Sequence, residues 1–177
     1  TFDDVIEAAD REKLLTWLRA RPMVIEVGDA LLVHAGLHPS WSVGRALELA
    51  GEVRKAMQDT GRFAELYARR KTTWSDGLEG IDRTAASLAV FTRIRMVRPD
   101  GTPVWEFTGP PDEAPEGTAP WWEGARTVSR VRTVVFGHWA RLGLVAVDGV
   151  RCLDGACVYG GDLPALRLDD RELVTEP

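Results

Sequence analysis

The sequence has few histidines, few cysteines and no long apolar run, and each shortage excludes a class of protein. No apolar stretch approaches the ~20 residues that a helix needs to span a bilayer, and no basic region with a short apolar segment behind it opens the chain as a secretion signal would. We therefore expect a cytoplasmic protein that needs no membrane. The two cysteines, Cys152 and Cys157, are too few for a disulfide scaffold or a zinc ribbon, so we expect free thiols.

Basic residues are not in excess, and this argues against a surface that coats nucleic acid. The chain carries 22 Lys and Arg against 27 Asp and Glu, a formal net charge of −5. Domains that bind nucleic acid normally show a basic stripe, so we expect no nucleic-acid partner. A small phosphate ligand remains compatible with this balance, because a few arginines in a cleft reverse the local field. At 177 residues and 45% hydrophobic, the chain is long enough for one compact domain.

Apolar residues at helical spacing predict five helices. Their approximate ranges are 3–9, 11–20, 43–57, 62–71 and 82–93. Asp10 and Ser42 stand at the N-cap positions of the second and third helices. In the second helix we expect a buried stripe that includes Trp17 and Leu18.

Short β-branched runs between turn residues predict strands, and the fold is therefore expected to be mixed α and β. Two-residue turns at Gly28-Asp29 and Asp148-Gly149 predict tight hairpins. A third hairpin is predicted between residues 96–98 and 104–107, and residues 109–120 form a long irregular loop. Further strands are expected at 131–136, 164–168 and 173–174. The sheet should be at least partly antiparallel.

His34 and His138 are two of only three histidines, and each ends an apolar β-run beside small residues. A stiff strand that ends in this way delivers an imidazole into a cleft, and imidazole is the commonest metal ligand. Although they are 104 positions apart (138 minus 34), the two predict one metal or phosphate site built from distant segments. The alternative is that each is a strand-end histidine hydrogen-bonded to a carbonyl. A catalytic two-metal site also needs bridging carboxylates, and no Asp-x-His or Asn-His pair precedes His34.

Four segments together resemble a known family. They are residues 32–41 (Leu-Val-His-Ala-Gly-Leu-His-Pro-Ser-Trp), 91–95 (Phe-Thr-Arg-Ile-Arg), 136–140 (Phe-Gly-His-Trp-Ala) and 153–163 (Leu-Asp-Gly-Ala-Cys-Val-Tyr-Gly-Gly-Asp-Leu). In this order they closely resemble the bacterial symmetrical diadenosine tetraphosphatases, which are calcineurin-like metallophosphoesterases. The likeness covers nearly the whole chain. It implies a β-sandwich flanked by helices whose N-terminal part is absent here, with residues 1–177 as the C-terminal part of a single domain.

The resemblance implies symmetrical hydrolysis of diadenosine tetraphosphate to two ADP by two divalent ions, Mn²⁺ or Co²⁺. In the family pattern His34 and His138 would both bind the second ion. The family's Gly-Asp-x-His-Gly, Gly-Asp-x-x-Asp-Arg-Gly and Gly-Asn-His-Asp motifs, which supply the other ligands, are absent from this sequence. Two neutral imidazoles hold a divalent ion weakly, so we expect this chain alone to be inactive or nearly so.

The resemblance also implies substrate-binding roles outside the histidines. Arg83 follows a Trp-Ser-Asp turn, and Arg93 and Arg95 match a Thr-Arg-x-Arg pattern expected to line the polyphosphate groove. Guanidinium suits this role because its planar fork matches phosphoryl oxygens. Tyr159 resembles the aromatic residue that closes the active site near the chain end. The alternatives are surface ion pairs for the arginines and strand packing for the tyrosine.

Two other functions use the same residues. The chain could be a non-catalytic remnant that binds nucleotides or a protein, or part of a related protein serine/threonine phosphatase. The Thr-Arg-x-Arg and Gly-His-Trp motifs favour the nucleotide enzyme over the protein phosphatase. The chain opens at Thr1 with no methionine before Met23, and from this we expect a fragment of a longer protein.

Overall fold

Helices and strands are interspersed along the chain, which confirms the mixed α and β class. The computed structural model describes residues 3–70, 73–124, 128, 132–147 and 149–177. The α-helices that these residues form are α1 Asp3–Ile6, α2 Arg11–Arg19, α3 Val43–Gln58, α4 Thr60–Ala68, α5 Gly80–Arg93 and α6 Trp121–Gly124. The strands are β1 Val24–Val27, β2 Ala30–Val33, β3 Met96–Val97, β4 Ala119–Pro120, β5 Thr133–Phe136, β6 Leu144–Val147, β7 Val150–Leu153, β8 Leu163–Leu166 and β9 Leu173–Glu176.

A five-stranded mixed sheet, in the order β1-β2-β5-β7-β6, forms the centre of the described chain. Both outer pairs, β1–β2 and β6–β7, are antiparallel hairpins, as predicted. Gly28 takes φ +59 in the first turn, a conformation that glycine adopts at little cost. The inner pairs, β2–β5 and β5–β7, are parallel. Three positions at the ends of predicted helices, strands or turns lie outside the described residues: 71, 131 and Asp148.

The long helices α3 and α5 pack against each other and contribute to the main core with the inner strands. The α3 helix begins as predicted, because the Ser42 side chain accepts a hydrogen bond from Arg45 N at 3.1 Å. Two tryptophans outside these helices and strands complete this core: Trp41 in a loop and Trp121 at the start of α6 are at most 1% exposed. Replacing such a buried tryptophan by alanine typically costs about 3–5 kcal/mol.

The predicted buried stripe on α2 is wrong. Trp17 is 56% exposed and Leu18 is 46% exposed. The Arg21 guanidinium lies over the Trp17 ring at 4.3 Å, so the ring is covered by a cation and not by the core. Apolar spacing identifies one face of a helix, but it does not tell which element, if any, packs on that face.

The predicted hairpin between residues 96–98 and 104–107 forms only in part. Met96 and Val97 pair with Pro120 and Ala119, and only a single bridge joins Val97 to Pro103. Arg98 N donates to the Thr102 carbonyl and Val104 N donates to the Met96 carbonyl, both at 2.9 Å, on either side of this bridge. Residues 109–120 are mostly irregular, as predicted, with one 3-10 turn at Pro111–Glu113.

The described residues contain no membrane-spanning helix and no disulfide bond. Across the described ranges, no helix is long and apolar enough to cross a membrane. Both cysteines are free thiols, Cys152 buried and Cys157 exposed. Burial raises the pKa of Cys152 to about 11, which keeps its thiol protonated and unreactive.

His38 gives the fold a predictable dependence on pH. Its side chain is 5% exposed, and Nδ1 accepts a hydrogen bond from Ser40 N at 3.2 Å. Burial lowers its pKa to about 4, with the Asp76 carboxylate opposing the shift. The unfolded chain protonates this ring near its ordinary pKa of 6.5, so stability is lost as the pH falls from there towards 4. We expect His38 alone to lower the free energy of unfolding by about 2 kcal/mol between neutral pH and about pH 4.5, in addition to the contributions of the other histidines.

The variant His38→Asn isolates this contribution, because the amide oxygen keeps an acceptor near the position of Nδ1 without titrating. Urea unfolding at both pH values should show a smaller decrease in the variant than in the wild-type chain. An equally steep decrease in both proteins would contradict the assignment.

Candidate functional site

His34 and His138 lie side by side because the strands that precede them are neighbours. His34 follows β2 directly, and His138 follows β5 after Gly137. Since β2 and β5 pair in parallel, with Leu32 opposite Val135, both segments leave the sheet at the same edge. Gly137 N donates to the His34 carbonyl at 3.0 Å, which continues the pairing past the strands. The structure thereby brings His34 Nε2 to 3.2 Å from His138 Nδ1.

The small residues after His34 are required by packing. Ala35 N donates to the Phe91 carbonyl at the end of α5 at 2.9 Å, which fixes the path of the chain as it leaves β2. Gly36 has no room for a side chain, because a Cβ there would lie 2.5 Å from the ring of Trp121. The His34 backbone is therefore held between the sheet and α5.

His138 is held in a strained but anchored turn. Its φ of +68 lies in the left-handed region, which costs a non-glycine residue about 1 kcal/mol. The neighbouring Trp139 is 1% exposed, and its Nε1 donates to the Gly109 carbonyl at 2.8 Å. Trp139 N also donates to the Gly137 carbonyl at 2.8 Å. This anchor stabilises the turn that directs the His138 imidazole towards His34.

Burial lowers the pKa of both imidazoles. The pKa of His138 falls to about 4, with the charges of Arg95 and His34 adding to the effect of burial and the main chain of Arg93 opposing it. The pKa of His34 is lowered by burial, against the opposing charge of Asp154. Both rings are therefore neutral near pH 7. Neutral imidazole is the form that offers a nitrogen lone pair to a metal ion.

The geometry of the pair fits a shared cation. Two nitrogens bound to one ion at ~2.0–2.1 Å, at angles between a right angle and tetrahedral, lie about 2.9–3.4 Å apart. The observed 3.2 Å between His34 Nε2 and His138 Nδ1 falls in this range; it also matches a direct hydrogen bond between the rings. Among the described residues, no group of three or more His, Cys, Asp or Glu side chains could hold a metal ion. The described chain therefore offers two ligands of a coordination set.

A cavity of ≈ 470 Å³ opens beside His138 and brings two further predicted residues to it, Arg95 and Tyr159. Arg95 Nε and His138 Nε2 are buried and have no hydrogen-bond partner within the part of the chain that the structure describes. Such groups typically cost about 1–3 kcal/mol each when left unpaired. Burial and the charge of Arg93 lower the pKa of Arg95, so an anion in this cavity would relieve an unfavourable positive charge.

The chain is similar along its whole length to curated bacterial proteins named symmetrical bis(5'-nucleosyl)-tetraphosphatase. It is 39% identical to that of Methylobacillus flagellatus over 180 residues, which cover 100% of this chain and 65% of the relative. It is 42% identical to that of Chromohalobacter salexigens over 186 residues, which cover 100% of this chain and 67% of the relative. The chain belongs to the symmetrical bis(5'-nucleosyl)-tetraphosphatase family. No model in a scan of protein families matches it.

This tetraphosphatase-family chain spans 65% of the length of the first of these relatives. Among solved structures, it is similar to the crystal structure of a candidate diadenosine tetraphosphatase. The TM-score is 0.55 at 25% sequence identity, and the likeness covers 96% of this chain and 55% of the other. The likeness confirms the predicted fold class, a mixed α and β arrangement of the calcineurin-like metallophosphoesterase type.

Arg83 is the predicted site residue that the structure places away from the histidines. It forms a two-point ion pair with Glu52 on α3, with Nε–Oε2 at 3.1 Å and a second contact at 2.6 Å. Arg83 lies near the start of α5 and Arg93 at its end. At about 1.5 Å per residue these two positions are on the order of 15 Å apart. The pairing with an acid was the alternative for this residue, and its role in binding phosphate stays a prediction.

Asp154 is a candidate residue that the sequence did not single out. It follows β7, which pairs in parallel with β5 and has Cys152 opposite Phe136. Two residues beyond that pair, Asp154 reaches the same sheet edge as His138. Its negative charge acts on the pKa values of both His34 and Arg95. A search for polar residues directly after every predicted strand would have included it.

The Trp139 anchor gives a stability test of the site geometry. Trp139→Phe keeps most of the buried ring but leaves the Gly109 carbonyl without its donor. We expect the free energy of unfolding to decrease by about 1–3 kcal/mol, measured by urea denaturation. The matched change Trp17→Phe, on the exposed face of α2, should leave it within about 0.5 kcal/mol. Equal effects of the two changes would show that the Trp139 hydrogen bond does not hold the turn.

Proposed function

We propose that the complete protein hydrolyses diadenosine tetraphosphate symmetrically to two ADP. The observation that carries the proposal is the approach of His34 Nε2 to His138 Nδ1 at the edge of the parallel strands. The names of relatives about 40% identical support the choice of substrate. We propose further that this chain is the C-terminal part of a single metallophosphoesterase domain, with the remaining metal ligands on the segment that the resemblance assigns to the N-terminal part.

His34 and His138 would hold one of two divalent ions, and Mn²⁺ or Co²⁺ is our proposal for both. When bound, such ions neutralise phosphate charge and lower the pKa of a coordinated water. The neutral imidazoles need no deprotonation before they bind, so proton competition at this pair is weak at neutral pH. This property supports an assignment to metal binding in preference to general-base catalysis.

The arginines of the chain would bind the polyphosphate. Arg95 presents a buried Nε–H beside His138 that has no partner among the described residues. Its planar fork suits the equatorial oxygens on which charge develops during the reaction. Arg93 adds a second positive charge to the same region, since its charge acts on both Arg95 and His138. Tyr159, 81% exposed at the cavity rim, would cover the bound substrate from the solvent side.

Nucleotide binding without catalysis is the second candidate for the chain taken alone. The observation that favours it is the incomplete ligand set, with no third His, Cys, Asp or Glu grouped at the pair in the described ranges. A protein phosphatase is less well supported, because the relatives are named for a nucleotide substrate.

The reaction products test the proposed cleavage. With diadenosine tetraphosphate and Mn²⁺, we expect the complete protein to release ADP as sole nucleotide, measured by anion-exchange chromatography. His138→Ala should lower kcat/KM at least about 100-fold, because the loss of a ligand weakens the metal site. The matched histidine change His38→Asn should retain activity at neutral pH. Release of AMP and ATP would refute the symmetrical cut.

Three single substitutions distinguish the proposed role of Arg95 from that of Arg83. Arg95→Lys keeps the charge but loses the two-donor fork, and we expect kcat/KM to fall about tenfold or more. If Arg83 serves only its ion pair, Arg83→Gln and Glu52→Gln should have equal and small effects on kcat/KM. A loss for Arg83→Gln as large as that for Arg95→Lys, with Glu52→Gln unaffected, would instead assign Arg83 to the substrate. No loss for Arg95→Lys would contradict the proposed phosphate site.

A further inference from the structure

A second cavity, of ≈ 620 Å³, lies next to Arg93 and has no part in the proposed chemistry. We call it the Tyr67–Trp105 cavity, after the two aromatic residues among its lining. Ala85, Leu88 and Ala89 of α5 also line it and give it an apolar surface. Its volume lies within the range of about 300–1,000 Å³ that is usual for small-molecule sites.

An arginine guanidinium lies over each of the two aromatic rings of this cavity. The Arg93 guanidinium lies over the Trp105 ring at 5.2 Å, and that of Arg70 lies over the Tyr67 ring at 4.5 Å. Arg93 NH1 also donates to the Arg70 carbonyl at 3.1 Å. Tyr67 remains 62% exposed, so its ring is available to a ligand. The cavity therefore combines aromatic surface with two fixed positive charges.

Glu106 adds an acceptor to the lining of this cavity. A purine nucleoside attached to phosphates matches all three features. Its base can stack on an aromatic side chain or on a guanidinium plane, its exocyclic amino group can donate to a carboxylate, and its phosphates suit arginine. A purely apolar ligand would match the aromatic and aliphatic lining but would use neither the two positive charges nor the Glu106 carboxylate.

Arg93 connects this cavity to the histidine site. It lines the Tyr67–Trp105 cavity, whereas Arg95, two residues further on, lines the cavity beside His138. Two residues span at most about 7 Å, a distance that a short phosphate chain can bridge. A dinucleoside polyphosphate needs a place for a base at some distance from the phosphorus that reacts, and the Tyr67–Trp105 cavity is lined by a residue two positions from one that lines the cavity beside His138.

We propose that the Tyr67–Trp105 cavity binds one nucleoside end of the dinucleoside polyphosphate, with Arg93 contacting the phosphates next to that nucleoside. The choice of substrate rests on the proposed function, but the binding of a purine nucleotide does not. Trp105 and Tyr67 would thus set affinity for substrate and not the rate of the chemical step.

The test compares ADP with pyrophosphate, which has the same two phosphates and no nucleoside. Isothermal titration calorimetry on the complete protein should show that Trp105→Leu and Tyr67→Leu each weaken ADP binding about tenfold, as expected for the loss of one stacking partner. The affinity for pyrophosphate should change less than about twofold in the same variants, because pyrophosphate has no base to stack. Trp17→Leu, at an exposed tryptophan of α2, is the matched control and should leave both affinities unchanged. Tyr67 is exposed, so its variant tests the cavity even if Trp105→Leu fails to fold.

Unchanged ADP affinity in Tyr67→Leu and in any folded Trp105→Leu protein would overturn the proposal, and so would an equal loss of ADP and pyrophosphate binding. Kinetics with diadenosine tetraphosphate separate this failure from failure of the proposed function. Hydrolysis to ADP with an unchanged KM in the variants would leave the function standing and remove the nucleoside site. ADP binding that depends on Tyr67 and Trp105, without any hydrolysis, would keep the site and remove the function.

Discussion

The parallel pairing of β2 with β5 determines where the other candidate groups lie. Parallel neighbours leave a sheet at the same edge, so residues 104 positions apart, His34 and His138, meet through their ring nitrogens at 3.2 Å. The next parallel neighbour, β7, ends in Asp154 at that edge. Shifting the register of one inner strand by a single residue would turn its side chains to the opposite face, and the site would be lost.

The site also depends on a local reversal of charge. The chain is acidic, with a net charge of −5, yet Arg93 and Arg95 lie beside two imidazoles that burial keeps neutral. Across the described ranges no group accepts a hydrogen bond from Arg95 Nε, and a positive charge in this state favours an incoming anion. Arg93 lines the Tyr67–Trp105 cavity and Arg95 lines the cavity beside His138, the two proposed places for a nucleoside and for phosphate. Under this proposal Arg93 would contribute to substrate binding and Arg95 to the chemical step, although the two are only two residues apart.

The sequence predicted those helices and turns that are determined by their own residues and not by distant contacts. The hairpin at Gly28, the cap at Ser42 and the α5 helix follow from turn, capping and periodicity signals in their own residues. The pairing of β3 with β4 and the ion pair of Arg83 depend on distant partners, and no short-range pattern encodes those. The exposure of Trp17 likewise depends on which distant elements pack against α2. The histidine pair was predictable because two strand ends with like sequences implied one edge. Asp154 was not predicted, since the parallel position of β7 is a property of the whole sheet.

The central claim is that both imidazoles bind a single cation, and imidazole nitrogen chemical shifts test it most directly. We would titrate the ¹⁵N-labelled complete protein with Zn²⁺ as a diamagnetic stand-in and follow long-range ¹H–¹⁵N correlations. The account predicts that His34 Nε2 and His138 Nδ1 shift together, at the same metal equivalents, while the nitrogens of His38 do not move. Shifts at only one of the two rings, or at their opposite nitrogens, would contradict it.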